Sequence, residues 1–251
     1  MVVYSSTWGN HITTLREVFT RLAKALLMVN LANSEFGKAV VTYPGKQVGQ
    51  GQVRPINTKV EAVMDFPILN TKRELLRFLG MIGYYRAFCK NFSTIVSPLT
   101  DLLSTAREFR WNSKCDCAFG AAKDLLCSAP ILSAPDFSYL FTLEVDASVV
   151  GCGAVLTQEG ELGVHHPICY FSKNFSKAQR RYSTIEKEAL ALILALQHFE
   201  VYVGGSPEPV AVYTDHNPLV FLMRMCNSNQ RLMRWALVIQ GFNLKIRHKK
   251  G

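Results

Sequence analysis

The chemistry-bearing residues of this chain are carboxylates, placed at the ends of two expected strands and the start of an expected helix. Across Tyr139 to Ser148, Phe141, Leu143 and Val145 alternate with Thr142, Glu144 and Asp146, the period-two pattern of a half-buried strand. Asp146 stands at its end, on the face opposite the apolar residues. Val210-Ala211-Val212-Tyr213-Thr214 is a second apolar run, and it leads into Asp215-His216. Between them, Ser183 to Leu192 opens a long helix carrying Glu186 and Glu188. A carboxylate held at a strand end is fixed by the sheet yet open to solvent, and it offers the hard oxygen that Mg²⁺ prefers. Taken alone, Asp146 better suits a plainer part, capping the turn after its strand. Three acidic positions in one α/β pattern favour the metal chemistry.

The elements that must position these residues follow in order. Gly151 and Gly153 suggest a tight turn after the first strand, with Ala154-Val155-Leu156 returning beside it. A third strand is expected over about Pro167 to Ser172, a helix from about Thr184 to Tyr202 and a strand from Val210 to Thr214. Two helices (Pro218 to Met225 and Asn229 to Gln240) and a strand (Phe242 to His248) complete the pattern. Antiparallel strands first and a βαβ crossover later predict a mixed sheet with helices on its faces.

Upstream, Met1 to Ser5 reads as a short apolar strand. Ile12, Leu15, Phe19, Leu22 and Leu26 recur at helical spacing, predicting an amphipathic helix over Asn10 to Val29. Val40 to Tyr43 and Lys46 to Val48 flank Pro44-Gly45 as a hairpin, although a proline there removes a backbone donor. Thr71 and Glu74 form a capping-box pattern that opens a helix to about Lys90, with Leu75, Phe78, Leu79, Ile82 and Tyr85 facing a core. Lys72, Arg73, Arg77, Arg86 and Lys90 lie on the same segment, either as a solvated basic face or as contacts to a nucleic-acid backbone. Helices are expected over about Thr94 to Leu103 and Ser113 to Cys127. Pro130 and Pro135 then mark a linker.

The ordered motifs EVDAS, YSTIEKEALAL, VYTDHNPL, RLMRWAL and RFLGMIGYYR together resemble the pol polyprotein of gypsy-type LTR retrotransposons. The resemblance implies an α/β chain of three parts. Residues 1–56 correspond to the end of a reverse transcriptase palm with a primer-grip-like hairpin, and 57–137 to a mostly helical, thumb-like region and linker. Residues 138–251 correspond to a ribonuclease H-like domain built on a mixed five-stranded sheet. It implies metal-dependent endonucleolytic hydrolysis of RNA in an RNA·DNA hybrid, with two Mg²⁺ ions about 3.5–4 Å apart. By motif, Asp146, Glu188 and Asp215 become metal ligands and catalytic residues, Glu188 being favoured over Glu186. His248 becomes a histidine assisting catalysis or product departure, or alternatively a basic residue touching phosphate. Lys46, Lys72, Arg73, Arg77, Arg86, Arg247, Lys249 and Lys250 are the expected nucleic-acid contacts. In the family, the polymerase aspartates precede the residue matching Met1, and a fourth nuclease aspartate follows the residue matching Gly251. The chain therefore reads as starting at an internal methionine, without a polymerase site and with the second ion's site and the last helix incomplete. A non-catalytic nucleic-acid-binding remnant, or a decayed retroelement product, is the competing reading.

Composition is consistent with this picture. At 251 residues the chain is long enough for two modest cores, and its net charge of +9 suits a polyanionic partner. There is no run of about 18 apolar residues and no signal-peptide layout, and an intracellular, non-membrane protein is expected. Seven scattered cysteines, only Cys115 and Cys117 forming a CxC pair, read as reduced thiols filling core gaps.

Overall fold

The computed structural model describes residues 1–5, 7–43, 45–104, 108–128, 130–160, 162–215 and 230–249. The expected helix over Pro218 to Met225, the first residue of the one over Asn229 to Gln240, Pro44, His216 and Lys250 lie outside the described residues. The chain divides into two compact units, Met1–Gln50 and Gly51–Gly251.

In the first unit, α1 spans Trp8–Lys24 and is capped by the Thr7 hydroxyl, which accepts a hydrogen bond from the Asn10 N–H. It starts earlier and stops sooner than its apolar spacing suggested. Leu26 takes φ +56°, a left-handed conformation that ends the helix, and is 90% exposed rather than part of the apolar stripe. Met1 to Ser5 is not a strand: an apolar run becomes one only where a neighbouring strand forms a regular ladder with it. The hairpin forms as expected. β1 (Val40–Tyr43) and β2 (Lys46–Gly49) pair antiparallel as far as Tyr43 opposite Lys46, so the ladder survives the adjacent proline.

The second unit begins with β3 (Gln52–Pro55), which pairs antiparallel with β4 (Leu132–Ser133), a short strand unforeseen within the expected linker. Between them lie α2 (Asn57–Met64), α3 (Lys72–Gly83), α4 (Phe92–Asp101) and α5 (Ser113–Cys127). The Thr71 hydroxyl caps α3 by accepting from the Glu74 N–H, but the Glu74 carboxylate accepts from Asn70 rather than Thr71, so the box is only half closed. α3 ends at Gly83, short of Lys90. Glycines at 80 and 83 weaken its last turn, and a 3₁₀ turn over Arg86–Phe88 follows. Leu75, Phe78 and Ile82 are fully buried in a cluster with Val63, Phe88, Leu99 and Leu126, as the spacing predicted.

The main sheet has the order β7-β6-β5-β8-β9. Its strands are β5 (Phe141–Ala147), β6 (Gly151–Glu159), β7 (His165–Asn174), β8 (Val210–Thr214) and β9 (Leu244–His248). β7, β6 and β5 run antiparallel, and β8 and β9 join β5 in parallel. The glycines at 151 and 153 do not make the turn expected of them. Ser148 does, its hydroxyl accepting from the N–H groups of Val150 and Gly151, and both glycines lie inside β6. A Cβ on Gly151 would come within 2.6 Å of the Lys173 carbonyl oxygen, so close strand approach explains that glycine. α6 (Thr184–His198) stops four residues earlier than expected. Buried Phe199 sits at a break before the short α7 (Glu200–Gly204). α8 runs Gln230–Gln240.

The sheet has two differently covered faces. Phe141, Leu143, Val145, Leu156 and Val212 pack with Ala189, Leu192 and Leu196 of α6 and Ala236 of α8 in the larger core. On the other face, Tyr170 packs against the helical cluster of α2–α5. There the Ser93 N–H donates to the Ser172 hydroxyl (2.9 Å), which donates to the Ser93 hydroxyl (3.1 Å). The helical region and the sheet thus share one unit.

Candidate metal centre and nucleic-acid cleft

Asp146, Glu188 and Asp215 meet at one end of the sheet. Each offers a carboxylate oxygen, and the three oxygens lie within 4.8 Å of one another. Asp146 comes from β5, Asp215 follows the end of the neighbouring parallel strand β8, and Glu188 comes from the first turns of α6, packed on β5. Parallel pairing of β5 with β8, with Val145 opposite Thr214, brings the two strand ends level.

The two helix glutamates have separate parts. Glu186 sits at the third position of α6, where its carboxylate accepts from the Ser183 N–H in a full capping box and pairs with Arg231 at 2.9 Å. Glu188 is 4% exposed, and its Oε2 is buried without a hydrogen-bond partner among the described residues. Burial, then repulsion from Asp215 and Asp146, pushes its pKa up to about 8, against a hydrogen bond from the Ala147 backbone. A buried carboxylate with an idle oxygen, facing two others, matches the needs of a divalent cation: oxygen donors and surplus negative charge. The three residues present therefore fit a divalent metal.

A cleft of about 250 Å³ opens beside these carboxylates. Glu144, Asp146, Gly153, Val155, Tyr170, Tyr213 and Asp215 line it, together with Lys90 and Asn91 from the α3–α4 corner and Lys249 after β9. Of these, Glu144, Tyr170 and Tyr213 were missed in the sequence as site residues. Glu144 had a signal, standing two residues before Asp146 and hence on the same face of β5. Lys90 and Asn91 had none that linked them to this site, because their arrival depends on how α4 docks.

The remaining expected residues scatter. His248 pairs with Thr214 in the parallel ladder, and its Nε2–H donates to the Asp215 backbone carbonyl (2.9 Å), placing it next to the triad. Lys249 is bonded at 2.7 Å to Glu144 rather than free, which raises its own pKa. Lys72 donates to the Ser104 carbonyl (2.7 Å), and so serves the helical region's own structure. Arg73, Arg77, Arg86 and Arg247 are exposed, and Lys46 is half-buried in β2. Lys46 belongs to the other compact unit.

These observations define a ribonuclease H-like fold with a carboxylate triad that fits a divalent metal. Comparison agrees: residues 136–242 match the RNase H-like domain found in reverse transcriptase. Along its whole length the chain is 36% identical to the retrovirus-related Pol polyprotein from transposon opus of Drosophila melanogaster. It is 33% identical to the transposon Tf2-3 polyprotein of Schizosaccharomyces pombe. These are retrotransposon polyproteins, as the gypsy-type resemblance implied, and the chain spans 26% and 19% of their lengths. Among solved structures, the foamy viral protease-reverse transcriptase in complex with RNA/DNA hybrid superimposes with a TM-score of 0.76. The match covers 98% of this chain and 34% of that one, at 22% identity. The same viral protein with double-stranded DNA superimposes over 98% of this chain with a TM-score of 0.73. At that identity the likeness is one of fold. Among the described residues no helix is long and apolar enough to cross a membrane.

Proposed function

We propose that this chain, as part of a retrotransposon reverse transcriptase, binds RNA·DNA hybrid and hydrolyses its RNA strand endonucleolytically at Asp146, Glu188 and Asp215. The observation that carries this reading is the convergence of the three carboxylates around the partnerless Oε2 of Glu188. Bound Mg²⁺, two ions in the family, supplies activation of water and relief of charge at the leaving oxygen. Asp146, Glu188 and Asp215 would hold it. The chain's own residues do the rest. Rigid strand ends hold Asp146 and Asp215, and buried packing of α6 holds Glu188, so the carboxylates are positioned before any ligand arrives. His248, tied through Nε2 to the Asp215 carbonyl, is placed beside the triad to assist catalysis or product departure. Exposed Arg73, Arg77 and Arg247, with Lys249 and Lys250, are the proposed phosphate contacts. Three parts of the chain corresponding to palm end, thumb and nuclease, at 1–56, 57–137 and 138–251, belong to the same reading.

The test is direct. A hybrid labelled on each strand is incubated with the chain and increasing Mg²⁺ or Mn²⁺. Internal cuts in the RNA strand only, abolished by Asp146→Asn with hybrid binding retained, are the expected result. Tight, salt-sensitive binding without cleavage would favour a binding remnant, and cutting unaffected by Asp146→Asn would displace the site.

A further inference from the structure

The cleft beside the carboxylates has one wall that the RNase H-like segment does not itself supply. Residues 136–242 match the domain family, yet Lys90 and Asn91, about fifty residues upstream, line the same cleft as Asp146 and Asp215. Their position is built into the fold. Asn91 adopts φ +54°, uncommon outside glycine, at the N-terminal end of α4, and its side chain makes no cap to that helix. That side chain instead lies over β6: a Cβ on Gly153 would come within 2.9 Å of its Oδ1. Gly153 is the residue directly opposite Asp146 in the β5–β6 ladder. Two residues on, Ser93 is bonded through its N–H and hydroxyl to Ser172 of β7. The corner is thus pinned to β7 and lies over β6, the strand beside the one carrying Asp146, with a glycine leaving room for it.

The charges around the cleft point to its occupant. Lys249 is already paired with Glu144. Lys90 is exposed and, among the described residues, forms no ion pair. An ammonium facing metal-binding carboxylates across an apolar floor of Val155, Tyr170 and Tyr213 suits a phosphodiester whose next phosphate is held by the metal. We propose that the α3–α4 corner is a working wall of the nuclease cleft, in which Lys90 binds a backbone phosphate of the strand lying across Asp146, Glu188 and Asp215. Lys90 is then a positioning residue from the helical region, and the nuclease site is completed by both parts of the second unit. The inference rests on the proposed function above.

The experiment uses the whole chain with Lys90→Gln, Lys90→Arg and, as a charge-matched control outside the cleft, Lys114→Gln. Hybrid binding is measured against salt with Ca²⁺ present. Lys90→Gln should weaken binding several-fold at low salt and flatten the log–log salt slope by about 0.9, one phosphate contact. Lys90→Arg should restore it, and Lys114→Gln should change neither. Location is read separately. Fe²⁺ in place of Mg²⁺, with peroxide, cuts the strand nearest the metal, and the focused cut of the parent chain should spread or fade in Lys90→Gln. An unchanged slope, or weaker binding with the cut still in focus, overturns the proposal while leaving the metal site standing. If the parent chain gives no focused cut, or Asp146→Asn keeps it, the proposed function itself fails and the inference with it.

Discussion

The two faces of the main sheet are built from the same strands and obey different rules. On one, Phe141, Leu143 and Val145 press into α6 and α8 and water is excluded. On the other, the alternating neighbours Glu144 and Asp146 look into a cleft, and among the described residues the α3–α4 corner covers β6 and β7. The first face is held by area removed from water and tolerates little. The second is held at a few contacts and leaves charged groups open to a ligand. The carboxylate cluster sits where the two meet, with Glu188 contributed from the buried side and Asp146 and Asp215 from the exposed one. A carboxylate cluster there gains rigidity from one face and access from the other.

The largest expected effect tests the buried face. Phe141 is fully buried, so Phe141→Ala should cost about 3–5 kcal/mol in urea unfolding, whereas Glu144→Gln, which breaks an exposed ion pair, should stay within about 1 kcal/mol. Comparable losses at both positions would erase the contrast between the faces.

Next comes the junction. Burial, with repulsion from Asp215 and Asp146, pushes the Glu188 carboxyl up to about 8 in the folded chain, against about 4.5 ordinarily. Below about 4.5 both folded and unfolded states hold the proton. Between there and about 8 the unfolded chain releases it first, so the folded state binds more protons and metal-free stability should fall as pH rises. Glu188→Gln should flatten that dependence over the same window. Divalent cation should oppose it, contributing about 2.7 kcal/mol when present at a hundred times its dissociation constant. Thermal melts at several pH values with and without Mg²⁺ measure this. A melting temperature that climbs with pH in the metal-free parent, with no change in Glu188→Gln, would contradict it.

A smaller effect separates two glycines on the cleft side of β6. Gly151→Ala would press on the Lys173 carbonyl, part of the backbone ladder, and should cost about 1–3 kcal/mol. Gly153→Ala meets only the end of the Asn91 side chain, which can turn away, and should cost less stability while disturbing hybrid binding. Reversal of that order in unfolding experiments would mean that the corner is held more rigidly than the ladder.

The smallest is Glu186→Ala. Loss of the capping-box partner and of the Arg231 pair should cost about 1 kcal/mol. Mn²⁺ affinity, measured by calorimetry, should be unchanged, whereas Glu188→Gln should weaken it by at least the roughly 10–100-fold that losing even an outer partner costs. Equal losses from the two glutamates would merge roles that the fold keeps apart.

The carboxylate triad was largely legible in the chain itself. Period-two alternation set the direction of Asp146 relative to Phe141, Leu143 and Val145, and the apolar run before Asp215 marked a second strand end, because both signals are local consequences of strand geometry. The i, i+3, i+4 spacing over Leu75 to Ile82 located a buried helix face for the same reason. Element ends were less legible. α1 stopped at a left-handed Leu26, α3 at Gly83 and α6 at Phe199, since termination depends on caps and packing as much as on pattern. Glu186 and Glu188 looked alike in sequence apart from motif. Only the fold turned one toward its own helix start and buried the other against two aspartates. The cleft was the least visible part. Lys90 and Asn91 reach it because a glycine opposite Asp146 and a serine on β7 receive the start of α4. A contact between residues about sixty positions apart leaves no periodic trace in the chain that makes it.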